Sequence, residues 1–283
     1  MESWILGLFV FLFLASAKTS KARNSASFYS NYYVTWGFDH ALIINNETEI
    51  QLTLDQTSGS GFETKWRYGS GFFHIRMKIP DKNSTGVLTA FYLTSRSSDH
   101  DELDFELLGN DTAPYTLQTN VFANGQGGRE QRIHLWFDPT KDFHSYKILW
   151  NQYQIVFYVD NVPIRVFKNN RKVGVNYPNQ PMQIEGSVWN AEGWASGGKR
   201  TDWNQAPFKA YLQEFNADGC VLHDYAVEKC YSSHFWWNRE EFWKLKPRDQ
   251  KANDHVRTKY MYYDYCSDKT RYSKPPPECK SNQ

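Results

Sequence analysis

Cysteine is absent from the first 219 of 283 residues; all four, Cys220, Cys230, Cys266 and Cys279, fall in the last quarter. A surplus of charge is lacking too. Lys and Arg number 32 against 31 Asp and Glu, a net charge of +1, without the basic excess of a nucleic-acid binder. Beyond residue 14 no apolar run approaches the ~20 residues that cross a bilayer, so the mature protein is expected to be soluble, with no membrane partner. No long helical period, internal repeat or linker-like stretch interrupts the body of the chain. These absences leave one large domain built from something other than long helices.

Aromatic residues are abundant: 17% of the chain, with eleven Trp and eighteen Tyr. Aromatic faces stack on the C–H faces of sugars, but a large β core also absorbs aromatics, and composition does not choose between them. The chain opens MESWILGLFVFLFLASAKTS. The apolar run from Trp4 to Leu14, followed by Ala15-Ser16-Ala17, reads as a secretory signal peptide over residues 1–17, although Glu2 stands where a basic residue is usual. Export fits an even cysteine count, which favours disulfides over a metal site or a catalytic thiol. Of three possible pairings, the short loops Cys220–Cys230 and Cys266–Cys279 are the simplest. Asn46-Glu-Thr, Asn83-Ser-Thr and Asn110-Asp-Thr are glycan acceptors in that compartment.

Alternation of apolar and polar residues recurs from Tyr33 onward. It marks strands at Ile50–Leu54, Phe73–Ile79, Thr116–Phe122, Ile133–Phe137, Ser145–Trp150 and Gln154–Val159, with Val87–Leu93 a more continuous apolar run between them. Asp160-Asn161 then turns the chain into Ile164–Phe167 as a hairpin. Many short strands with turn signals predict an all-β, antiparallel β-sandwich or jelly roll, expected over residues 18–218. Residues 219–283 hold all four cysteines, Pro275-Pro276-Pro277, and a helical spacing of Val256, Tyr260 and Tyr263. They read as a disulfide-stapled extension packed on the sandwich.

One strand is chemically unusual. In His100-Asp-Glu-Leu-Asp-Phe-Glu-Leu-Leu-Gly-Asn110, Leu103, Phe105 and Leu107 alternate with Glu102, Asp104 and Glu106. Alternate residues share one face of a strand, so three acids are carried together with no counter-charge beside them on that face. Like charges packed on a sheet cost free energy, which favours a functional reason over a solvated surface. Crowded carboxyls raise one another's pKa, so one can stay protonated while another is ionised. That combination serves retaining glycoside hydrolysis, which needs a nucleophile and an acid/base. Calcium is the rival, but its sites draw on bent loops and carbonyls, and this segment alternates without Gly until Gly109. On a regular strand the outer two Cα atoms lie ~13 Å apart, so the side chains have to lean together over Asp104.

This stretch resembles the H-D-E-[ILV]-D-[FI]-E-[FL]-L-G motif of plant xyloglucan endotransglucosylase/hydrolases, in glycoside hydrolase family 16. The resemblance extends through "SGSGFETK" (58–65), "YTLQTNVFANGQGGREQ" (115–131), "LWFDPTKDFHSYKILWN" (135–151), "VPIRVFKNN" (162–170), "WNAEGWA" (189–195), "TDWNQAPF" (201–208) and "YDYCSDKTRYSKPPPEC" (263–279). It implies that Glu102 is the nucleophile, Glu106 the acid/base and Asp104 their tuning neighbour. It implies glucan contacts at Gln118, Thr119, Asn120, Gly128, Arg129, Glu130, Gly193, Trp194, Gly198 and Arg271, with Trp189 and Trp194 lining the acceptor side. Glycosylation at Asn110 also matches a frequent site of the family. The implied reaction cleaves the β-1,4-glucan backbone of xyloglucan and transfers the new end to another xyloglucan chain or oligosaccharide, in the apoplast and cell wall. The enzyme is expected to act as a monomer without metal or other cofactor. Predominant hydrolysis at the same site, or glucan binding without turnover, are the alternatives. Gly193 stands where many members have Asp, and the 194–203 loop is about two residues shorter than usual.

Overall fold

Alternating side chains can satisfy a buried core only if each strand turns one face inward. The computed structural model, which describes residues 26–282, realises this in sixteen strands among the described residues. In chain order, after the short helix α1 (Phe28–Asn31), they begin with β1 (Tyr32–Trp36), β2 (Ala41–Ile44), β3 (Glu49–Leu54), β4 (Ser60–Thr64) and β5 (Arg67–Lys78). Next come β6 (Val87–Thr94), β7 (Glu102–Leu108), β8 (Thr116–Phe122), β9 (Gln131–His134), β10 (His144–Trp150), β11 (Gln154–Val159) and β12 (Val162–Lys168). The last are β13 (Gln183–Asn190), β14 (Phe208–Gln213), β15 (Ala217–Leu222) and β16 (Met261–Asp264). The helices α2 (Glu192–Ala195) and α3 (Pro247–Lys259) separate them.

Two antiparallel sheets result. One runs β1-β4-β13-β6-β7-β8-β9-β16; the other runs β12-β11-β10-β5-β14-β3-β2, with β15 also paired to β5. Their facing sides interdigitate in one core. Phe105 of β7, for example, meets Tyr146 of β10 and Phe157 of β11 with ring centroids 5.6 and 5.2 Å apart. The architecture is the all-β sandwich expected. The Asp160-Asn161 hairpin forms as read, with Val159 paired to Val162 and Asp160 at a φ of 53°, as a tight two-residue turn requires.

Two readings need correction. The strand expected over 133–137 is Gln131–His134 instead; Leu135 N–H donates to the Tyr115 carbonyl in the same register, and the strand goes no further. Tyr263 does not continue a helix with Val256 and Tyr260. α3 ends at Lys259, and Tyr263 lies in β16, paired with Arg132 of β9. The open edge of β9 offers backbone partners that a further helical turn would forgo. The C-terminal segment therefore joins the fold instead of resting on it. β16 completes one sheet, and β15 runs across the boundary expected between residues 218 and 219.

Both short cysteine loops are the ones closed, Cys220–Cys230 and Cys266–Cys279, and no cysteine is free among the described residues. The expected signal peptide lies outside the described residues. Among the described residues no helix is long and apolar enough to cross a membrane.

Candidate active site

Burial dictates where the three acids point. Leu103, Phe105 and Leu107 are at most 1% exposed, locked between the sheets. A one-residue slip of β7 would drive all three carboxyls into that core, so the register is strongly held. Glu102, Asp104 and Glu106 consequently line a cleft of about 840 Å³ on the other face of the sheet.

Neighbouring strands then assign each acid its partners. β7 pairs on one side with β6, setting Thr94, Tyr92 and Ala90 opposite Glu102, Asp104 and Glu106; on the other side β8 sets Phe122, Asn120 and Gln118 opposite them. Glu106 accepts a 2.5 Å hydrogen bond from Gln118 Nε2, and Gln118 Oε1 accepts one of 2.6 Å from Arg132 Nε. Asp104 is hydrogen-bonded to Glu102 and lies between the two glutamates. Burial, then the charges of Glu102 and Glu106, push the Asp104 carboxyl well above the usual range, so it stays protonated and donates to Glu102. Burial also raises Glu102, but the bonds from Thr94 and Asp104 and the nearby His100 oppose it. Burial, with the charges of Glu102 and Glu130, pushes Glu106 up to about 7, against the opposing Gln118 bond and Arg132 charge. A carboxyl bonded to its neighbour on the same face, beside a second whose pKa is pushed up to about 7, suits a two-step displacement at an acetal carbon.

The same shift has a cost in stability. Between pH 4.5 and 7 the folded protein binds the Glu106 proton that the unfolded chain has released, so stability falls as pH rises through that window, by up to about 3 kcal/mol. Glu106→Gln removes the penalty. The variant is expected to melt higher than the parent at pH 8 but not at pH 4, and equal melting temperatures at pH 8 would refute the buried, proton-holding state.

Not every expected contact reaches the cleft. Gln118, Asn120, Glu130, Trp189 and Trp194 line it. Trp189 and Trp194 stand 36% and 41% exposed with ring centroids 6.4 Å apart, an aromatic wall at one side. Gly193 and Gly198 lie open near this wall, and Gly198 at φ +88° shapes the loop after α2. Thr119, by strand parity, faces the interior, where its carbonyl and Oγ1 accept from buried Arg165 at 2.8 and 2.9 Å. Arg129 is buried as well: Nε pairs with Glu278 at 2.8 Å, and its backbone N–H donates to Asn120 Oδ1 at 3.0 Å. It shapes the cleft wall through Asn120 without entering the cleft. Gly128, at φ +79°, leaves room for Tyr272 and Arg271, and Tyr272 donates to its carbonyl. Arg271 forms an ion pair with Glu130 at the rim.

Glu278 belongs to the Cys266–Cys279 loop, so the tail braces the cleft from behind. Removing one partner of a buried ion pair costs about 3–5 kcal/mol. Glu278→Ala is expected to lose about that much in thermal or denaturant unfolding with both disulfides intact; parental stability would show that the pair does not brace the wall.

Residues that sequence reading passed over complete the site. Arg132 supplies the positive charge that β7 lacks on its own face, from two strands away. Trp36, Tyr92 and Phe122 add aromatic lining. Arg165 reaches Thr119 from the other sheet, and its charge draws the Asp104 pKa down against burial. None stands near the acid motif in sequence except Tyr92 and Phe122; strand pairing brings in Trp36 and Arg132, and the packing of one sheet on the other brings in Arg165. Among the described residues no cluster of three or more His, Cys, Asp or Glu is arranged to hold a metal ion. The three sequons lie at turns: Asn46 has a φ of 53°, Asn83 Oδ1 accepts from Thr85, and Asn110 follows β7.

Known proteins place this site in context. Residues 28–205 match the glycosyl hydrolases family 16, and residues 231–279 match the xyloglucan endo-transglycosylase (XET) C-terminus. The chain is 54% identical to xyloglucan endotransglucosylase/hydrolase protein 2 of Arabidopsis thaliana, over 99% of this chain and 97% of that one. It is 48% identical to xyloglucan endotransglucosylase protein 34 of Populus tremula x Populus tremuloides, again over 99% and 97%. Among solved structures, the Bacillus licheniformis β-glucanase shares the fold, with a TM-score of 0.55 and 23% identity over 65% of this chain and 89% of that one. With a cleft of this form and relatives matched over nearly its whole length, the chain belongs to glycosyl hydrolase family 16 and, within it, to the xyloglucan endotransglucosylase/hydrolases.

Proposed function

We propose that this chain is a retaining xyloglucan endotransglucosylase in which Glu102 is the nucleophile, Glu106 the acid/base and Asp104 the neighbour that steers the ionisation of Glu102. The observation that carries the reading is the arrangement on β7: an ionisable Glu102 bonded to a protonated Asp104, two residues before a Glu106 whose pKa is pushed up to about 7. Glu102 attacks the anomeric carbon of the donor glucan. Glu106 gives its proton to the departing glycosidic oxygen, and a covalent glycosyl-enzyme forms. Esterification removes the negative charge of Glu102, which had been holding the proton on Glu106. Glu106, now the stronger acid and left ionised, takes a proton from the 4-hydroxyl of an incoming xyloglucan end, and that oxygen displaces Glu102.

Trp189, Trp194 and the Glu130–Arg271 pair border the region where an acceptor would lie. Sugar held there excludes water from the glycosyl-enzyme, favouring transfer over hydrolysis through proximity. Gln118, Asn120, Gly193 and Gly198 are the further glucan contacts in this reading. Three sequons, four cysteines all in disulfides and the apolar N-terminal run support an exported, glycosylated enzyme of the plant apoplast and cell wall.

Xyloglucan and a labelled xyloglucan oligosaccharide, incubated with the protein, are expected to yield labelled polymer. A parallel reducing-end assay without oligosaccharide is expected to rise slowly. New reducing ends with no labelled polymer would replace transfer by hydrolysis, and neither product would leave a glucan-binding protein without turnover.

A further inference from the structure

A second charged cluster lies on the same sheet face, across β6 from the acids. Glu63 of β4 and Glu185 of β13 are directly opposite each other, and their side chains are only 6% and 15% exposed. Like charges so paired repel, and burial strengthens the repulsion. Arg96, in the turn joining β6 to β7, resolves it. Its NH2 group contacts Glu63 Oε2 and lies 3.3 Å from Glu185 Oε1. The other oxygen of each acid accepts from a tyrosine: Glu63 Oε1 from Tyr33 and Glu185 Oε2 from Tyr92, the latter at 2.7 Å. Gln183 also donates to Glu63 Oε1, at 3.2 Å. One half-exposed guanidinium thus neutralises part of a buried pair and, through it, orients two phenols.

Both ends of this device bear on the reaction. Tyr92 lines the cleft and is the cross-strand neighbour of Asp104. Arg96 shares its turn with the start of β7, six residues before Glu102. The flank is also distinct: Gln118, Arg132, Glu130 and Arg271 serve Glu106 and the rim on the β8–β9 side, whereas this cluster lies on the β6–β13–β4 side. On β13, Glu185 lies level with Tyr92 and Asp104, whereas Trp189 of the acceptor wall lies level with Leu88 and Leu108, beyond Glu106, so the cluster stands toward the Glu102 end, which this reading gives to the donor glucan.

We propose that Arg96 is a positioning residue, holding Tyr92 through Glu185 against the donor glucan and screening Glu185 from the nucleophile. The inference rests on the reading of Glu102 given above. The groups that bear on Glu102 are Asp104 and Glu106 on its own strand, His100 just before it, Tyr92 on β6 and Glu185 on β13; Arg96 and Glu63 act through Glu185. With Arg96 removed, Glu185 loses its screen and opposes ionisation of Glu102 more strongly. The acidic limb of the rate profile, where Glu102 must shed its proton, moves to higher pH.

The test is the pH dependence of kcat/KM for transfer from polymeric xyloglucan to a labelled oligosaccharide. Arg96→Ala is expected to raise the acidic limb by about half a pH unit and the KM for the polymeric donor about threefold, leaving the acceptor KM unchanged. Arg96→Lys is expected to restore most of both. Glu185→Gln alone is expected to lower the limb, and Glu185→Gln added to Arg96→Ala to bring it back down, a pattern that a general loss of packing does not produce. An unmoved limb in both Arg96→Ala and Glu185→Gln, or one that Glu185→Gln fails to bring down, overturns the inference. Absence of labelled polymer from the unaltered protein would instead defeat the transferase reading, so the two failures are distinguishable.

Discussion

Glu102→Gln is expected to abolish transfer, lowering kcat by about 10⁴-fold or more, because an amide cannot form the glycosyl-enzyme and no other carboxyl stands in its place. Asp104 is the nearest candidate, but it is protonated and bonded toward Glu102; Glu106 holds the proton that the leaving oxygen needs. The side chain is nearly isosteric, and Thr94 and Asp104 still have an oxygen to approach, so the fold and substrate binding should survive. Labelled-polymer formation is the measurement, with xyloglucan retention on a native gel as the binding control. Incorporation that persists at a tenth of the parental rate would remove Glu102 from the nucleophile's role. A smaller substitution sharpens the assignment. In Glu102→Ala, azide should occupy the vacated space and attack an activated glycoside from the same side, giving an azide adduct of inverted configuration.

The second large effect concerns Glu106. Rate requires its proton, so activity of the parent should fall as pH rises through about 7, the value to which burial and neighbouring charge push it. Glu106→Gln can neither donate that proton nor later remove one from the acceptor. Its rate with xyloglucan should fall by about 10²–10⁴-fold, the usual contribution of general acid–base catalysis, and the alkaline limb should disappear. A donor whose leaving group needs no proton should recover the first step but not the second, so glycosyl-enzyme accumulates and is visible as added mass. A retained alkaline limb in Glu106→Gln would assign that limb to another group. The higher melting temperature expected of this variant at pH 8 has the same origin: the buried proton is held at the expense of stability.

Parity along one strand carried much of this site. Once Leu103, Phe105 and Leu107 are recognised as a buried face, Glu102, Asp104 and Glu106 must emerge together, and that inference needs no neighbour. The sandwich was legible for the same reason in β3, β5, β8 and β10–β12, and in β6 from a nearly continuous apolar run. Strands with weaker alternation were not: β16 follows a helix closely enough that Val256, Tyr260 and Tyr263 imitate one continuous period, and only the open edge of β9 draws Tyr263 out of it. Thr119 and Arg129 mark the limit of reading from motif alone. They sit among cleft residues in sequence, yet strand parity turns Thr119 inward to Arg165, and Glu278 pulls Arg129 behind the wall.

By itself the sequence brought together the three acids proposed to carry the chemistry, because Glu102, Asp104 and Glu106 lie within five residues of one strand. Tertiary structure alone decided the surroundings in which each of them sits. The desolvation that lifts Glu106, the Arg132–Gln118 relay that reaches it, and the Arg96 bridge between Glu63 and Glu185 depend on groups that are distant along the chain. Only strand register brings those groups within a few ångströms, and electrostatic energy falls with distance in space rather than in sequence.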